Sequence, residues 1–158
     1  MKALVIYDSR TGNTEKMARA IAEGASSVEG VSVEVRRIGE MFPLSILADG
    51  DLTFYGSPVI YADVTEGFRS FLEHLKRMVE DGRMRMKGKV AAVFGSYGFD
   101  GAWVMEERMK RMLENIGYKV YEKACVETAD SVRYRPERAL ENCRSFGREV
   151  AEAARGKI

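Results

Sequence analysis

The segment between residues 8 and 15 combines hydroxyl, amide, glycine and arginine residues where a strand pattern gives way to a helix pattern. Its six central residues are Ser9, Arg10, Thr11, Gly12, Asn13 and Thr14. The first turn of a helix leaves backbone N–H groups unpaired and carries about half a positive charge, so it can hold an anion. The hydroxyl groups can donate hydrogen bonds, and the glycine lets the backbone curl around the anion. We therefore predict a phosphate site, because a simple helix cap needs only one polar residue.

Two later segments place aromatic or apolar residues beside glycine, proline and serine. They cover residues 57–66 and 96–101, and their candidate ligand-binding residues are Pro58, Val59, Ile60, Tyr61, Ser96, Tyr97, Gly98, Phe99 and Gly101. Glycine permits a backbone to approach a ligand closely, and aromatic rings stack on flat groups. Together with the phosphate site, these segments predict a ligand in which a phosphate is joined to a planar ring system.

Five segments with strand patterns must position these loops. Residues 3–7, 52–56 and 90–95 are continuously apolar, which is typical of parallel strands buried on both faces. Residues 31–37 and 119–126 alternate or mix apolar and polar positions instead, as half-covered strands do. The three apolar strands are therefore expected in the middle of a sheet and the other two at its edges.

Helical stripes of apolar residues separate the strands. Phe68 and Leu72 belong to one stripe and Met105 and Met109 to another, each with the spacing that packs a helix on a sheet. Strand and helix alternate without a repeat or linker, so we predict one α/β domain over residues 1–158. Its fold is a doubly wound five-stranded parallel sheet of strand order 2-1-3-4-5. The ligand crevice then lies beyond the carboxyl ends of strands one and three, where the winding reverses.

The composition is that of an ordinary globular protein, with 46% hydrophobic and 31% charged residues. The formal net charge of +1 argues against a nucleic-acid partner. No apolar run approaches the roughly 18 residues of a membrane helix, and no signal-peptide cleavage pattern follows the first strand. We therefore expect a cytoplasmic protein without a membrane partner. Cys125 and Cys143 lack the spacing of a redox or zinc motif, which predicts free buried thiols and no metal site.

The phosphate segment resembles the FMN phosphate loop of the flavodoxin family, which reads Ser/Thr-x-Thr-Gly-Asn-Thr. Residues 56–64 and 95–120 look most like the flavodoxin domains of A-type flavodiiron flavoproteins, whose third loop commonly reads Gly-Ser-Tyr-Gly-Trp. The resemblance covers nearly the whole chain. It is to short-chain members, since the chain has no room for the insertion that defines long-chain flavodoxins.

This resemblance implies a non-covalently bound FMN. Its phosphate would lie on the residues from Ser9 to Thr14 and its isoalloxazine ring between the second and third segments. Tyr97 and Phe99 would lie against or beside the ring, with Ile60 or Tyr61 on the opposite side. The redox chemistry would belong to the flavin, and the chain would contribute no catalytic residue of its own.

The resemblance also implies a function in low-potential electron transfer, with other redox proteins as electron donors and acceptors. The alternative is an FMN-dependent oxidoreductase of the quinone-reductase or protoporphyrinogen-oxidase type. Acidic residues near the predicted crevice, including Asp63, Glu66 and Glu107, fit either a rim that steers a basic partner or an ordinary solvated surface.

Overall fold

The computed structural model describes residues 1–60, 62–98 and 102–156. Strands and helices alternate over this part of the chain. The strands are β1 (Lys2–Tyr7), β2 (Ser32–Arg37), β3 (Leu52–Pro58), β4 (Val90–Tyr97) and β5 (Lys119–Thr128). The helices are α1 (Asn13–Ser26), α2 (Ser45–Asp49), α3 (Glu66–Glu80), α4 (Ala102–Ile116), α5 (Ala129–Tyr134) and α6 (Pro136–Arg155).

The strands form one parallel sheet in the order β2-β1-β3-β4-β5, which confirms the predicted strand order and its two edges. In the register of the sheet, Tyr7 at the end of β1 lies beside Arg37 of β2 and Gly56 of β3. The carboxyl ends of these strands therefore finish at about the same level. The loops that follow them meet at one edge of the sheet.

The sheet separates two apolar cores. Along β1, Val5 points into the core beneath α1 and α6, whereas Leu4 and Ile6 point into the core beneath α3 and α4. Successive side chains of a strand point to opposite faces, so a strand covered on both faces must be apolar throughout. This two-sided burial explains the continuous apolar run at the start of the chain.

Two central strands extend further than the sequence predicts. Ser57 and Pro58 continue β3, and Ser96 and Tyr97 continue β4, although all four were expected in loops. The ladder persists because Ser57 pairs with Gly95 and Pro58 with Ser96. A side chain on Gly95 would lie 2.5 Å from the carbonyl oxygen of Ser57, so glycine permits this close pairing.

The short helices α2 and α5, of five and six residues, were not predicted. Each is too short to show a helical repeat of apolar positions. None of the helices in the described ranges is both long and apolar enough to cross a membrane.

Candidate functional site

Hydrogen bonds join the three predicted loops at the carboxyl ends of the central strands. The N–H of Asp8 donates to the carbonyl of Gly56 over 3.0 Å, which ties the first loop to β3. The N–H of Val59 donates to the carbonyl of Ser96 over 2.8 Å, which ties the second loop to β4. The first of these contacts lies where the chain winding reverses between β1 and β3, the place at which doubly wound folds bind ligands.

The N-terminus of α1 lacks the side-chain cap that α3 has. Its cap residue, Gly12, has a left-handed φ of +92° and supplies no side chain for capping, and no other side chain caps the helix in the part of the chain that the structure describes. By contrast, Thr65 caps α3 by accepting from the N–H of Phe68. The first turn of α1 therefore keeps N–H groups that can donate hydrogen bonds to an anion.

Hydroxyl and amide side chains surround this helix terminus. Ser9, Asn13 and Thr14 are buried, whereas Arg10 and Thr11 are exposed. The Ser9 hydroxyl oxygen accepts from the N–H of Gly12 over 3.1 Å, and the Thr11 hydroxyl oxygen accepts from the Asn13 amide over 3.2 Å. These bonds hold the loop in a fixed curve around the start of the helix.

The side chain of Thr14 does not cap α1. A simple helix cap therefore does not explain the polar residues of the first loop. The Thr14 hydroxyl lies 2.9 Å from the hydroxyl of Ser96, and both residues are buried. This hydrogen bond connects the first predicted loop to the third across 82 residues of sequence. The arrangement brings a polar pair into the floor of the crevice rather than to the helix end.

Arg37, which the sequence analysis did not identify, contacts the first predicted loop. Arg37, the last residue of β2, donates from Nη2 to the carbonyl oxygen of Ser9 over 2.7 Å. Its guanidinium therefore lies against the loop and adds positive charge beside it. The register of β1 with β2 puts Arg37 next to Tyr7, a pairing that only the sheet order could have indicated.

Two neighbouring side chains contact Glu15, the acidic residue in the first turn of α1. The hydroxyl of Tyr7 donates to Glu15 over 2.7 Å, and Arg19 lies 3.8 Å from the same carboxylate. Burial, followed by this hydrogen bond, raises the pKa of Tyr7 to about 12. Glu15 is therefore held to one side by a neutral donor and a cation.

Asp8 and Thr65 anchor the second loop and were also missed by the sequence analysis. The Thr65 hydroxyl donates to Asp8 Oδ2 over 2.5 Å, and Asp8 Oδ1 accepts from the N–H of Ser9. The N–H of Thr65 donates to the Ser57 hydroxyl oxygen over 3.0 Å. One carboxylate thus links the first loop to the start of α3, across 57 residues of sequence.

The second loop turns sharply between Ile60 and Asp63. The N–H of each of these residues donates to the carbonyl of the other, over 2.7 and 3.0 Å. Within the turn, Ala62 has a φ of +63°, a conformation that costs free energy for a residue with a side chain. Val59 and Ile60 are half-buried beside the crevice, and Tyr61 lies outside the described residues.

The acidic-rim interpretation is wrong for Asp63. Its carboxylate accepts hydrogen bonds from Arg69 and from Arg108, the latter over 2.7 Å. Two guanidinium groups more than balance one carboxylate at this position. The second loop therefore does not present Asp63 as a free negative charge to a partner.

The third loop is described up to Gly98. Ser96 is buried, Tyr97 is half-buried, and Gly98 is exposed with open space beside its Cα among the described atoms. Phe99 and Gly101 lie outside the described residues. The structure thus brings Ser9, Asn13, Thr14 and Ser96 together by hydrogen bonds or shared burial, with Pro58, Val59, Ile60 and Tyr97 along the adjoining strand ends.

This sheet order defines a doubly wound α/β protein, and the uncapped terminus of α1 lies at the point where the winding reverses. The family model of flavodoxins matches residues 5–145. The chain belongs to the flavodoxin family, which confirms the predicted resemblance. Proteins of this family bind FMN.

Relatives of known sequence and structure agree with this assignment. A flavodoxin of Aquifex aeolicus is 35% identical over 163 residues, which cover 96% of this chain and 85% of that protein. An uncharacterized protein of Methanocaldococcus jannaschii is 31% identical over 157 residues, which cover 96% of this chain and 36% of that protein. The chain therefore spans about a third of the latter relative. A solved flavodoxin from the domain Archaea has a TM-score of 0.82 and 26% identity, covering 98% of this chain and 99% of that chain.

The fold also occurs within a larger enzyme. Rubredoxin oxygen:oxidoreductase from Desulfovibrio gigas has a TM-score of 0.81 and 21% identity over 99% of this chain, which corresponds to 36% of the enzyme. At this identity the likeness concerns the fold alone.

Proposed function

We propose that this chain is an electron-transfer flavodoxin that holds FMN in the crevice and exchanges electrons with other redox proteins. The observation that carries the proposal is the uncapped N-terminus of α1, surrounded by buried hydroxyl and amide groups. Such an end provides N–H donors and a partial positive charge to a phosphate. Residues 1–158 would act as one domain, located in the cytoplasm.

The FMN phosphate would lie on the residues from Ser9 to Thr14. The fit is supported by the left-handed Gly12, which leaves the helix terminus without a competing side chain. Arg37 would add a positive charge from behind the loop through its contact with the Ser9 carbonyl. Arg10 is exposed and would be a secondary contact or a solvent-facing residue.

The isoalloxazine ring would lie between the second and third loops. Val59, Ile60 and Tyr97, which are half-buried, would border that space, and Tyr61, Phe99 and Gly101 would complete it. When bound, FMN supplies the redox chemistry, while the protein sets the potential through stacking, hydrogen bonds and charge. Backbone groups of residues 56–60 would hydrogen-bond the edge of the ring.

The first test compares binding of FMN and riboflavin, which differ only in the phosphate. Thr11 is exposed, and Thr11→Glu should lower FMN affinity by about 100-fold or more, because the new carboxylate repels the phosphate. The same variant should change riboflavin affinity much less. Ser45→Glu is the matched control, since it adds the same charge at the first residue of α2, outside the crevice. Fluorescence quenching of each flavin gives the affinities.

The outcomes separate the parts of the proposal. Equal losses for FMN and riboflavin in Thr11→Glu would contradict the phosphate assignment, and absence of flavin binding by the unaltered chain would contradict the function. Stepwise anaerobic reduction should then show uptake of electrons one at a time. Steady turnover of a nicotinamide donor and a quinone would favour the oxidoreductase alternative.

A further inference from the structure

Cys125 and Cys143 form a close thiol pair away from the proposed flavin crevice. Cys125 lies on β5 and Cys143 on α6, 18 residues apart in the sequence. Their sulfur atoms are 3.6 Å apart and hydrogen-bonded, and both residues are buried. Two thiols at this separation need only a small approach to reach the S–S bond length of about 2.05 Å.

A cleft between β5 and α6 leads to one member of the pair. It has a volume of about 320 Å³ and is lined by Cys125 together with Glu127, Asn142, Phe146 and Glu149. Cys143 is fully buried behind this surface, at 0% exposure against 7% for Cys125. A reagent that enters the cleft therefore meets Cys125 first.

The charges of the cleft select the kind of reagent. Glu127 and Glu149 both line it, so an anionic oxidant is disfavoured relative to a small uncharged one. Asn142 donates to Glu127 over 2.9 Å, and Lys123 donates to Glu149 over 3.2 Å. Hydrogen peroxide is uncharged and small enough for a cleft of this volume.

Ionisation of the inner thiol is suppressed. The hydrogen bond with Cys125, followed by burial, raises the pKa of the Cys143 thiol well above its ordinary value. Cys143 therefore stays protonated at neutral pH. Because the thiolate is the nucleophile and Cys125 is the thiol that lines the cleft, attack on an oxidant begins at Cys125.

We propose that Cys125 and Cys143 form a reversible intramolecular disulfide when the protein meets a small uncharged peroxide. The Cys125 thiol gives up its proton, and the thiolate attacks one oxygen of hydrogen peroxide, which breaks the O–O bond and yields the sulfenic acid. The released hydroxide takes up the Cys125 proton and becomes the first water. The Cys143 sulfur then attacks the Cys125 sulfur, the S–O bond breaks, and the departing hydroxide leaves as water with the Cys143 proton. Two thiols lose two electrons in total, and one peroxide becomes two waters. A dithiol reductant reverses the bond by exchange.

The disulfide would connect edge strand β5 to helix α6, which packs closely on α1. A cross-link of this span removes freedom from the unfolded chain. The unfolding temperature of the oxidised protein is expected to rise by about 5 to 10 °C. This effect does not depend on bound FMN, so the inference stands apart from the proposed function.

The test uses the unaltered protein in its folded state. After treatment with hydrogen peroxide and removal of the excess, the unreduced peptides that contain Cys125 and Cys143 should be joined, with a summed mass lower by two hydrogen atoms. Titratable thiols should fall from two to none, and dithiothreitol should restore both values. Two thiols that persist, oxygen atoms added to the cysteines in place of hydrogen loss, or a covalent dimer would each overturn the proposal, whereas oxygen added to the nine methionines is separated by peptide mass. Oxidised glutathione, which is anionic, should react more slowly than peroxide, and an equal or faster rate would contradict the role of the cleft.

Matched variants test the order of the two steps. Cys143→Ala removes the resolving thiol, so dimedone should label the sulfenic acid on Cys125 during peroxide treatment. Cys125→Ala should leave Cys143 unlabelled over the same time, because Cys143 does not line the cleft. Faster labelling of Cys143 than of Cys125 would reverse the assignment. Circular dichroism before treatment verifies that each variant is folded, and the result on the unaltered chain does not require either variant.

Discussion

Buried polar side chains concentrate at one edge of the sheet. Thr53 lies within β3, whereas the other buried polar residues of the described chain lie at or beyond the strand ends: Ser9, Asn13, Thr14, Ser57, Thr65 and Ser96. Burying a hydroxyl or amide costs free energy unless it is hydrogen-bonded. Two of these bonds join members of the set, Thr14 with Ser96 and Thr65 with Ser57, and Ser9 and Asn13 bond Gly12 and Thr11 of the first loop. A core built for stability alone does not need such a network, so its place at the crevice supports a binding role.

Arg37 gives a residue-level prediction about the phosphate. Arg37→Met keeps much of the side-chain length but removes the guanidinium that holds the Ser9 carbonyl. A charged hydrogen bond contributes about 1.5–3 kcal/mol, so FMN affinity should fall by about tenfold to a hundredfold. Riboflavin affinity should change by less than about threefold, since riboflavin carries no phosphate. Titrations of the two flavins against the variant measure the ratio.

The adjacent arginine provides the control for this experiment. Arg36 bonds Glu34 on the same strand, at 3.4 Å, rather than the phosphate loop. Arg36→Met removes an equal charge from the neighbouring position and should leave the FMN affinity within about twofold. Identical losses in the two variants would mean that Arg37 acts only through the overall charge of the protein.

At the scale of elements, the sequence predicts the sheet well and the site only in part. The continuous apolar runs identify β1, β3 and β4 as central because burial on both faces demands apolar residues throughout. Asp8 with Thr65 and Arg37 with Ser9 make contacts that join different elements. A single sequence carries no local signal for such contacts, since they exist only once the strands are ordered.

The close packing of α1 on α6 gives a prediction at the element scale. A Cβ on Gly147 would lie 2.1 Å from the carbonyl oxygen of Ile21 and 3.0 Å from the backbone nitrogen of Ala25. Backbone atoms cannot move aside as a flexible side chain can, so Gly147→Ala should push the helices apart. We expect a loss of about 2–3 kcal/mol in the free energy of unfolding, despite the better helix propensity of alanine. Urea unfolding followed by circular dichroism measures it.

Gly156→Ala tests whether the loss comes from the helix contact. Gly156 ends α6 with a φ of −81°, and an added Cβ would find its nearest neighbour at an ordinary 3.5 Å. This variant should change stability by less than about 0.5 kcal/mol. A similar cost at both positions would show that alanine in α6, rather than contact with α1, is responsible.

For the whole molecule, the sheet separates two apolar cores, and each contains at least one tyrosine. The core beneath α3 and α4 contains a pair of tyrosine hydroxyls, on Tyr55 and Tyr118, 2.7 Å apart. Burial is the main reason why the pKa of Tyr55 lies well above the ordinary value of 10.0 and that of Tyr118 is raised to about 12. The folded molecule therefore holds protons on this pair that the unfolded chain would release in alkali.

This linkage predicts how the stability of the molecule responds to alkaline pH. Because the folded pKa values lie above the unfolded ones, the stabilisation is complete below about pH 10 and is lost as the pH rises through the folded values. Each tyrosine should contribute a decline of up to about 1.4 kcal/mol per pH unit in the free energy of unfolding. Urea unfolding between about pH 8 and pH 11 measures the decline, and Tyr55→Phe with Tyr118→Phe should reduce its slope. Tyr134→Phe, at a residue that is 70% exposed, is the control and should keep the slope of the unaltered protein. If the double variant lost stability as steeply as the unaltered chain, groups other than this buried pair would govern the alkaline response.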